Sequence, residues 1–336
     1  MNNIVSIIIP CRNEVRNIEE TVHNIQLQNY PQGELDIIIV DGLSDDGTID
    51  KINELSKQYP NLRLIENERK ITPVAFNLGI KAAKGDYILI VGARQVISSD
   101  YVRNAVAALE EEEQLVCVGG KVTNVYDRKE GELISIAMSS GFGVGIGNFR
   151  VETTDKYVDT VGTPCYKKWI FEKVGLFDEE LIRNQDDDLN YRVIQQGYKI
   201  KLLHKIEVKY YVRANTSKLA QQMFQYGYWK VYVNKKHKAI TTFRQLIPAM
   251  FVIYLFFLPF SVILGKYILI PLSMLLAYCV LGFFAFRNVH PINSRLVVQL
   301  ITFKMHFYYG LGYLKGITDF IILNRKPSSK QAILTR

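Results

Sequence analysis

Val5-Ser-Ile-Ile-Ile-Pro-Cys-Arg-Asn-Glu14 and Leu35-Asp-Ile-Ile-Ile-Val-Asp-Gly-Leu-Ser-Asp-Asp-Gly-Thr48 decide the fold. Each begins with a short, largely β-branched run, at residues 4–9 and 35–40, and closes on a polar tip. Short apolar runs bounded by turn residues read as strands buried on both faces, the pattern of a parallel sheet. Ligands of open α/β sheets bind beyond the carboxyl ends of such strands, where both tips lie. An Asp there accepts hydrogen bonds from a base or ribose, and a neighbouring Gly lets backbone approach. Taken singly, each tip also reads as an ordinary turn with a helix cap, since Ser44 and Asp45 are good N-cap residues. The pair together favours a nucleotide site.

Outward from these strands the α/β rhythm continues. Further strands are predicted near 62–66 and 86–91, with helices near 17–29, 46–58, 72–83 and 99–112, a doubly wound pattern. Around 121–160 the periodicity weakens into a stretch with Gly141, Gly143, Gly145 and Gly147, which suits plain loop or lid chemistry. A strand near 160–166, a helix near 167–174 and an acidic helix near 187–197 follow.

After residue 240 the pattern suits a different solvent. Residues 246–264 and 268–286 each run about 19 residues without a charged side chain, long enough to cross a hydrocarbon core of roughly 30 Å. Gly265-Lys266-Tyr267 links them, so a transmembrane hairpin is expected. Residues 296–323 are apolar but carry Lys304, Lys315 and Asp319, which fall in one narrow sector of a helix. That stripe suits a helix lying at the interface or one packed against protein. Two spans plus such a helix are favoured over a third span, which would strand Arg325, Lys326, Lys330 and Arg336 outside. The expected organisation is a catalytic domain over 1–240, a membrane region over 241–325 and a basic tail over 326–336.

The net charge of +8 is uneven. Residues 241–336 hold ten Lys or Arg against the single acid Asp319, whereas the first 240 residues hold 31 basic and 32 acidic groups. Positive charge confined to the flanks of apolar segments fits anionic lipid and argues against a nucleic-acid partner. Lys230, Lys235, Lys236, Lys238 and Arg244 before the first span, with Arg287 and Arg295 after the second, place the catalytic part in the cytoplasm by the positive-inside rule. The four cysteines are scattered, with no zinc or disulfide spacing.

The quoted stretches resemble the opening of a family 2 glycosyltransferase. The similarity runs on through Asn67-Glu-Arg-Lys70, Ala75-Phe-Asn-Leu-Gly79, Ala83-Lys-Gly-Asp-Tyr-Ile88, Gly162-Thr-Pro-Cys-Tyr166, Val174-Gly-Leu-Phe-Asp178 and Gln185-Asp-Asp-Asp-Leu-Asn-Tyr-Arg192. It covers roughly residues 4–230 and is nearest to bacterial exopolysaccharide enzymes of the succinoglycan-biosynthesis type. The resemblance implies a GT-A fold, a Rossmann-like nucleotide-diphospho-sugar transferase domain, followed here by C-terminal membrane helices. It implies transfer of a hexose from a nucleotide sugar, a UDP sugar by similarity, to a lipid-linked saccharide at the cell membrane, beside other polysaccharide-assembly proteins.

Inverting transfer needs a base for the acceptor hydroxyl, and the resemblance assigns that role to Asp186. Asp188 and Arg192, four residues apart, could pair along the helix face. Asp41 would accept from the base edge, Pro10 and Cys11 would offer backbone, and the Arg12 guanidinium could stack on the base. Glu14, Lys70 and Asn77 are further nucleotide-side candidates. Relatives hold Mg²⁺ or Mn²⁺ with an Asp-x-Asp element after the fourth strand. This chain reads Gly92-Ala93-Arg94 there, so the expected ligands are absent and Arg94 could meet the diphosphate directly. On the acceptor side, Gln222, Gln225 and Tyr226 stand where relatives show Gln-x-x-Arg-aromatic, with Arg213 a candidate replacement for the missing Arg. Losing both elements leaves a catalytically silent nucleotide-binding or scaffold relative as the alternative.

Overall fold

The structure, a computed structural model, describes residues 3–126, 128–145, 149–151, 154–211, 215–241 and 243–327. The chain divides into two compact units, one formed by residues 1–124 and 152–211, the other by residues 125–151 and 212–336. This differs from the expected division at 240, because residues 125–151 and the helix after 215 group with the C-terminal helices.

The first unit is built on a nine-stranded sheet. Its strands are β1 (Val5–Cys11), β2 (Leu35–Asp41), β3 (Leu62–Glu66), β4 (Tyr87–Ile90), β5 (Gln95–Ile97), β6 (Leu115–Val125), β7 (Lys156–Tyr157), β8 (Gly162–Lys167) and β9 (Lys199–Tyr211). Their order is β3-β2-β1-β4-β8-β6-β9-β5, with β7 paired to β9. The first four strands are parallel, as their apolar runs predict, and Ile7, Ile8, Ile9, Ile37, Ile38 and Ile39 are wholly buried. β8 runs antiparallel to β4 and to β6, and β5 and β7 run antiparallel to β9, so the parallel pattern of the first four strands gives way to a mixed sheet. Helices α1 (Ile18–Gln26), α2 (Thr48–Gln58), α3 (Thr72–Ala82) and α4 (Tyr101–Glu111) alternate with the strands through residue 111.

The second unit holds α5 (Lys129–Met138) and α6 (Gly141–Val144) in the region expected to be loop. In the first unit again, α7 (Ile170–Val174) and α8 (Gln185–Gln195) follow β8. The remaining helices, all in the second unit, are α9 (Thr216–His237), α10 (Ile247–Phe257), α11 (Leu269–Ala285) and α12 (Ile292–Gly316). Ile134, Ala137 and Met138 of α5 share a core with Leu219 and Met223 of α9 and Val298, Ile301 and Met305 of α12. Helices α9 and α12 meet backbone to backbone. A Cβ on Gly227 would collide with the Tyr309 carbonyl oxygen, and one on Gly312 with that of Phe224. Small residues are what permit such an approach.

Of the charged sector of residues 296–323, Asp319 faces protein, while Lys304 is partly buried and Lys315 exposed. Asp319 is buried, accepts the Tyr228 hydroxyl at 3.0 Å and pairs with Lys315. Among the described residues one helix, Phe243–Ile263, is long and apolar enough to cross a membrane, and Leu269–Ala285 is a shorter apolar helix. Residues 258–268 tighten into a 3₁₀ stretch broken at Gly265, whose φ of 57° and ψ of −124° end the helical path. The chain thus breaks at Gly265 between the two apolar helices, and the second of them stops at 17 residues.

Candidate functional site

Strand register levels the exits of the parallel strands. Cys11 lies opposite Asp41, Asp41 opposite Glu66, and the Val91 amide donates to the Ile8 carbonyl at 3.0 Å. Three residues immediately beyond these exits have left-handed backbone: Asn13 (φ 56°), Leu43 (φ 55°) and Lys70 (φ 59°). Asn tolerates that region, whereas Leu and Lys are strained there at about 1–2 kcal/mol each. Strain of this kind persists where surrounding structure over-determines it, and it concentrates at functional edges.

Hydrogen bonds between the first two loops supply the constraint. The Asn13 amide donates to Ser44 Oγ at 2.7 Å, and its side chain exchanges two bonds with Asp45. The Glu14 amide donates to Thr48 Oγ1 at 2.8 Å. Asp41 is fully buried and accepts the Ser44 amide at 2.7 Å and the Ser44 hydroxyl. Its four lone-pair sites leave capacity for a further donor. Gly42 lies between Arg12 and Lys70: a Cβ there would be 3.2 Å from Arg12 Cδ and 3.5 Å from the Lys70 Cα. Pro10, Cys11, Arg12, Asp41, Gly42 and Lys70 thus lie along one edge of the sheet. Lys70 is exposed and Arg12 partly buried.

The loop after β4 departs from a metal site in its geometry as well as its composition. The Gln95 side-chain carbonyl oxygen accepts the Gly92 amide at 2.6 Å and the Thr163 hydroxyl at 3.1 Å. Arg94 Nε donates to both Glu14 oxygens, at 2.9 and 2.7 Å, and Asn17 donates to the same carboxylate. This contact holds the guanidinium pKa above its usual value. Glu14, expected on the nucleotide side, is paired with Arg94, another candidate for that side. A divalent cation wants several oxygen ligands, whereas this loop offers a glycine, an alanine and a paired cation. No cluster of three or more His, Cys, Asp or Glu suited to a metal occurs among the described residues. The residues present do not fit Mg²⁺ or Mn²⁺ here.

Thr163 escaped the sequence reading. It is buried, sits at φ 51° despite its β-branch, and its carbonyl accepts the Tyr101 hydroxyl at 2.6 Å. Nothing in Gly162-Thr-Pro signals that conformation, which is set by Gln95 and Tyr101.

The three acids of α8 have separate fates. Asn184, at φ 60°, donates to Asp187 at 2.9 Å. Asp188 is completely buried and takes Arg192 at 2.8 and 3.1 Å, forming the pair its spacing allows. Arg192 also donates to the carbonyls of Val174, Gly175 and Leu176. Asp186 remains exposed on the first turn. Asn77, a nucleotide-side candidate by sequence, makes its contacts with the 177–179 segment. It is buried, accepts the Phe177 amide at 3.0 Å and donates to the Phe177 carbonyl and Glu179. Asn77 and Arg192 therefore hold the 174–179 segment.

In the second unit, Gln222 donates to the Tyr226 hydroxyl at 2.7 Å and Gln225 is buried. Arg213 lies outside the described residues.

Comparison with known proteins agrees with this architecture. The family model "Glycosyl transferase family 2" matches residues 6–171. A curated relative from Methanococcus voltae, dolichyl N-acetyl-alpha-D-glucosaminyl phosphate 3-beta-D-2,3-diacetamido-2,3-dideoxy-beta-D-glucuronosyltransferase, is 31% identical over 327 residues, covering 95% of this chain and 99% of its own. Succinoglycan biosynthesis protein ExoA of Rhizobium meliloti (strain 1021) is 26% identical over 324 residues, covering 94% and 95%. Among solved structures, the mannosyltransferase PcManGT of Pyrobaculum calidifontis, in complex with GDP-Man and Mn²⁺, shares the fold at TM-score 0.61 and 19% identity. That match covers 91% of this chain and 86% of the other. With its parallel half, its antiparallel half and a relative alike from end to end, the chain belongs to glycosyl transferase family 2 and is a glycosyltransferase of the GT-A fold.

Proposed function

We propose that the protein is a membrane-anchored inverting glycosyltransferase. It moves a sugar of the hexose class from a nucleotide sugar, a UDP sugar in the first instance, to a lipid-linked saccharide in surface-polysaccharide or related glycan assembly. The observation that carries this reading is the first turn of α8, where the exposed Asp186 adjoins two buried side-chain acceptors. Beside Asp186, the buried acceptors Asn184 Oδ1 and Gln185 Oε1 have no hydrogen-bond partner among the described residues. A hydroxyl-rich ligand would satisfy them.

In this mechanism Asp41, with the Pro10 and Cys11 backbone and the Arg12 guanidinium, orients the nucleotide. Asp186 takes the proton of the acceptor hydroxyl as its oxygen attacks the anomeric carbon. The bond from that carbon to the nucleotide diphosphate breaks, and negative charge gathers on the leaving phosphate. Arg94, aimed by Glu14, stabilises that charge through its terminal nitrogens, which the Glu14 contact does not use. Gln222, Gln225 and Tyr226 are proposed for the acceptor side.

Membrane anchoring draws support from the outward apolar side chains of the C-terminal helices, among them Phe256, Phe260, Ile263, Leu269 and Leu281. An apolar surface this continuous marks a membrane or partner contact. The basic flanks favour a cytoplasmic catalytic domain at the cell membrane. The test is transfer by the purified full-length protein in lipid nanodiscs, with a panel of nucleotide sugars and a polyprenyl-phosphate-linked amino sugar as acceptor. Product with inverted anomeric configuration supports the proposal. Nucleotide binding without turnover on any donor and acceptor would overturn it in favour of a silent scaffold.

A further inference from the structure

The helices α11 and α12 enclose a groove of about 550 Å³, within the range of roughly 300–1,000 Å³ usual for small-molecule sites. Its walls include Tyr278, Phe283, Leu296, Gln299, Leu300 and Phe303. The amide of Gln299 is committed to the Cys279 carbonyl at 2.8 Å, so the wall it joins is apolar in effect. A cationic side chain stands over the ring of one wall residue. The Arg295 guanidinium lies 4.7 Å from the centre of the Phe283 ring and donates to the Arg287 carbonyl at 2.6 Å. Its Nε is buried with no hydrogen-bond partner among the described residues. Arg287 is exposed, and residues 241–318 contain no Asp or Glu to balance either charge.

We propose that this groove binds the isoprenyl chain of a lipid phosphate, with Arg295 and Arg287 receiving the phosphate. An apolar channel beside uncompensated arginines is complementary to a molecule with a long hydrocarbon tail and an anionic head. This inference rests on the reading that the acceptor is lipid-linked, and it supplies the part of the protein that grips the lipid. A chain entering the groove from a bilayer gains no hydrophobic free energy, because lipid tails are as apolar as Leu. Selectivity therefore comes from packing against the aromatic wall and from charge-assisted bonds to phosphate.

The experiment uses the full chain in phosphatidylcholine nanodiscs with two photoreactive probes, a benzophenone-tagged farnesyl phosphate and a benzophenone-tagged phosphatidylglycerol. The farnesyl probe is expected to label residues 278–303. Labelling should fall about tenfold or more in Arg295→Glu, the scale for losing a bond to a charged group. It should fall similarly in Leu300→Trp, which fills the groove, and persist in Arg295→Lys. Circular dichroism and nucleotide affinity report that the variants are folded. Labelling unaffected by Arg295→Glu and Leu300→Trp would overturn the proposal. So would equal labelling of the groove by the phosphatidylglycerol probe, since that marks an annular lipid surface. Transfer to a lipid-linked acceptor is assayed in parallel on the wild type. Transfer without groove labelling refutes the groove alone, whereas specific labelling without transfer refutes the functional reading alone.

Discussion

Replacing Arg94 with Ala separates a catalytic guanidinium from a structural one. The ion pair with Glu14 joins a side chain 44% exposed to one 14% exposed. Partly exposed pairs contribute about 1 kcal/mol or less to stability. If Arg94 stabilises charge on the departing phosphate, its loss removes about 3 kcal/mol from the transition state, the scale for one preorganised donor. That corresponds to roughly a 160-fold fall in turnover. The two magnitudes differ enough to be told apart. Thermal or urea unfolding should show a small shift, while kcat, measured by release of nucleoside diphosphate, should fall by two orders of magnitude. The same assay in EDTA should leave most of the wild-type rate, because the Gly92-Ala93-Arg94 loop offers no carboxylate. Near-normal turnover in Arg94→Ala, or strict dependence of the wild type on Mn²⁺, would refute the reasoning.

Other variants probe different links. Asp186→Asn should keep nucleotide affinity while lowering turnover at least about a hundredfold, read by single-turnover kinetics; an unchanged rate would remove Asp186 from its role. Asp188→Ala leaves Arg192 without its buried partner and should destabilise the fold by about 3–5 kcal/mol in urea titrations. Gly227→Ala drives a methyl group into the Tyr309 carbonyl and should destabilise the second unit by about 1–3 kcal/mol, seen as faster proteolysis of α9 and α12. Reporter fusions should place residue 266 outside the cell and residues 240, 290 and 326 inside; an external signal at 326 would mean a further crossing.

Some of this architecture is legible in sequence and some is not, for physical reasons. Strands β1, β2 and β4 are buried on both faces, so their residues announce themselves as apolar runs. The long strands β6 and β9 carry no such signal. β6 is interrupted by Gly119 and Gly120, whose missing side chains admit the Gly162 and Ile206 backbone. β9 mixes buried Ile200, Leu202 and Ile206 with exposed His204 and Lys205, which resembles a solvated loop. At the site, residue types are readable but partnerships are not. Asp188 and Arg192 are four apart on one helix and can be paired by counting. Glu14 and Arg94 are separated by 80 positions, and Asn77 and Phe177 by 100, so only the folded chain shows what each polar group is already holding.

The grouping of α5 with the C-terminal helices has a consequence for synthesis. Ile134, Ala137 and Met138 find their partners Val298, Ile301 and Met305 about 160 residues downstream. At a translation rate of about 5–20 residues per second, that face stays unclaimed for roughly 10–30 s. During that interval the ribosome carries a nascent chain in which the part of the α5 face that α12 covers is exposed. Truncation near residue 240 would extend the interval indefinitely. The shortened chain should be captured by holdase chaperones or precipitate, whereas the full chain closes its own core.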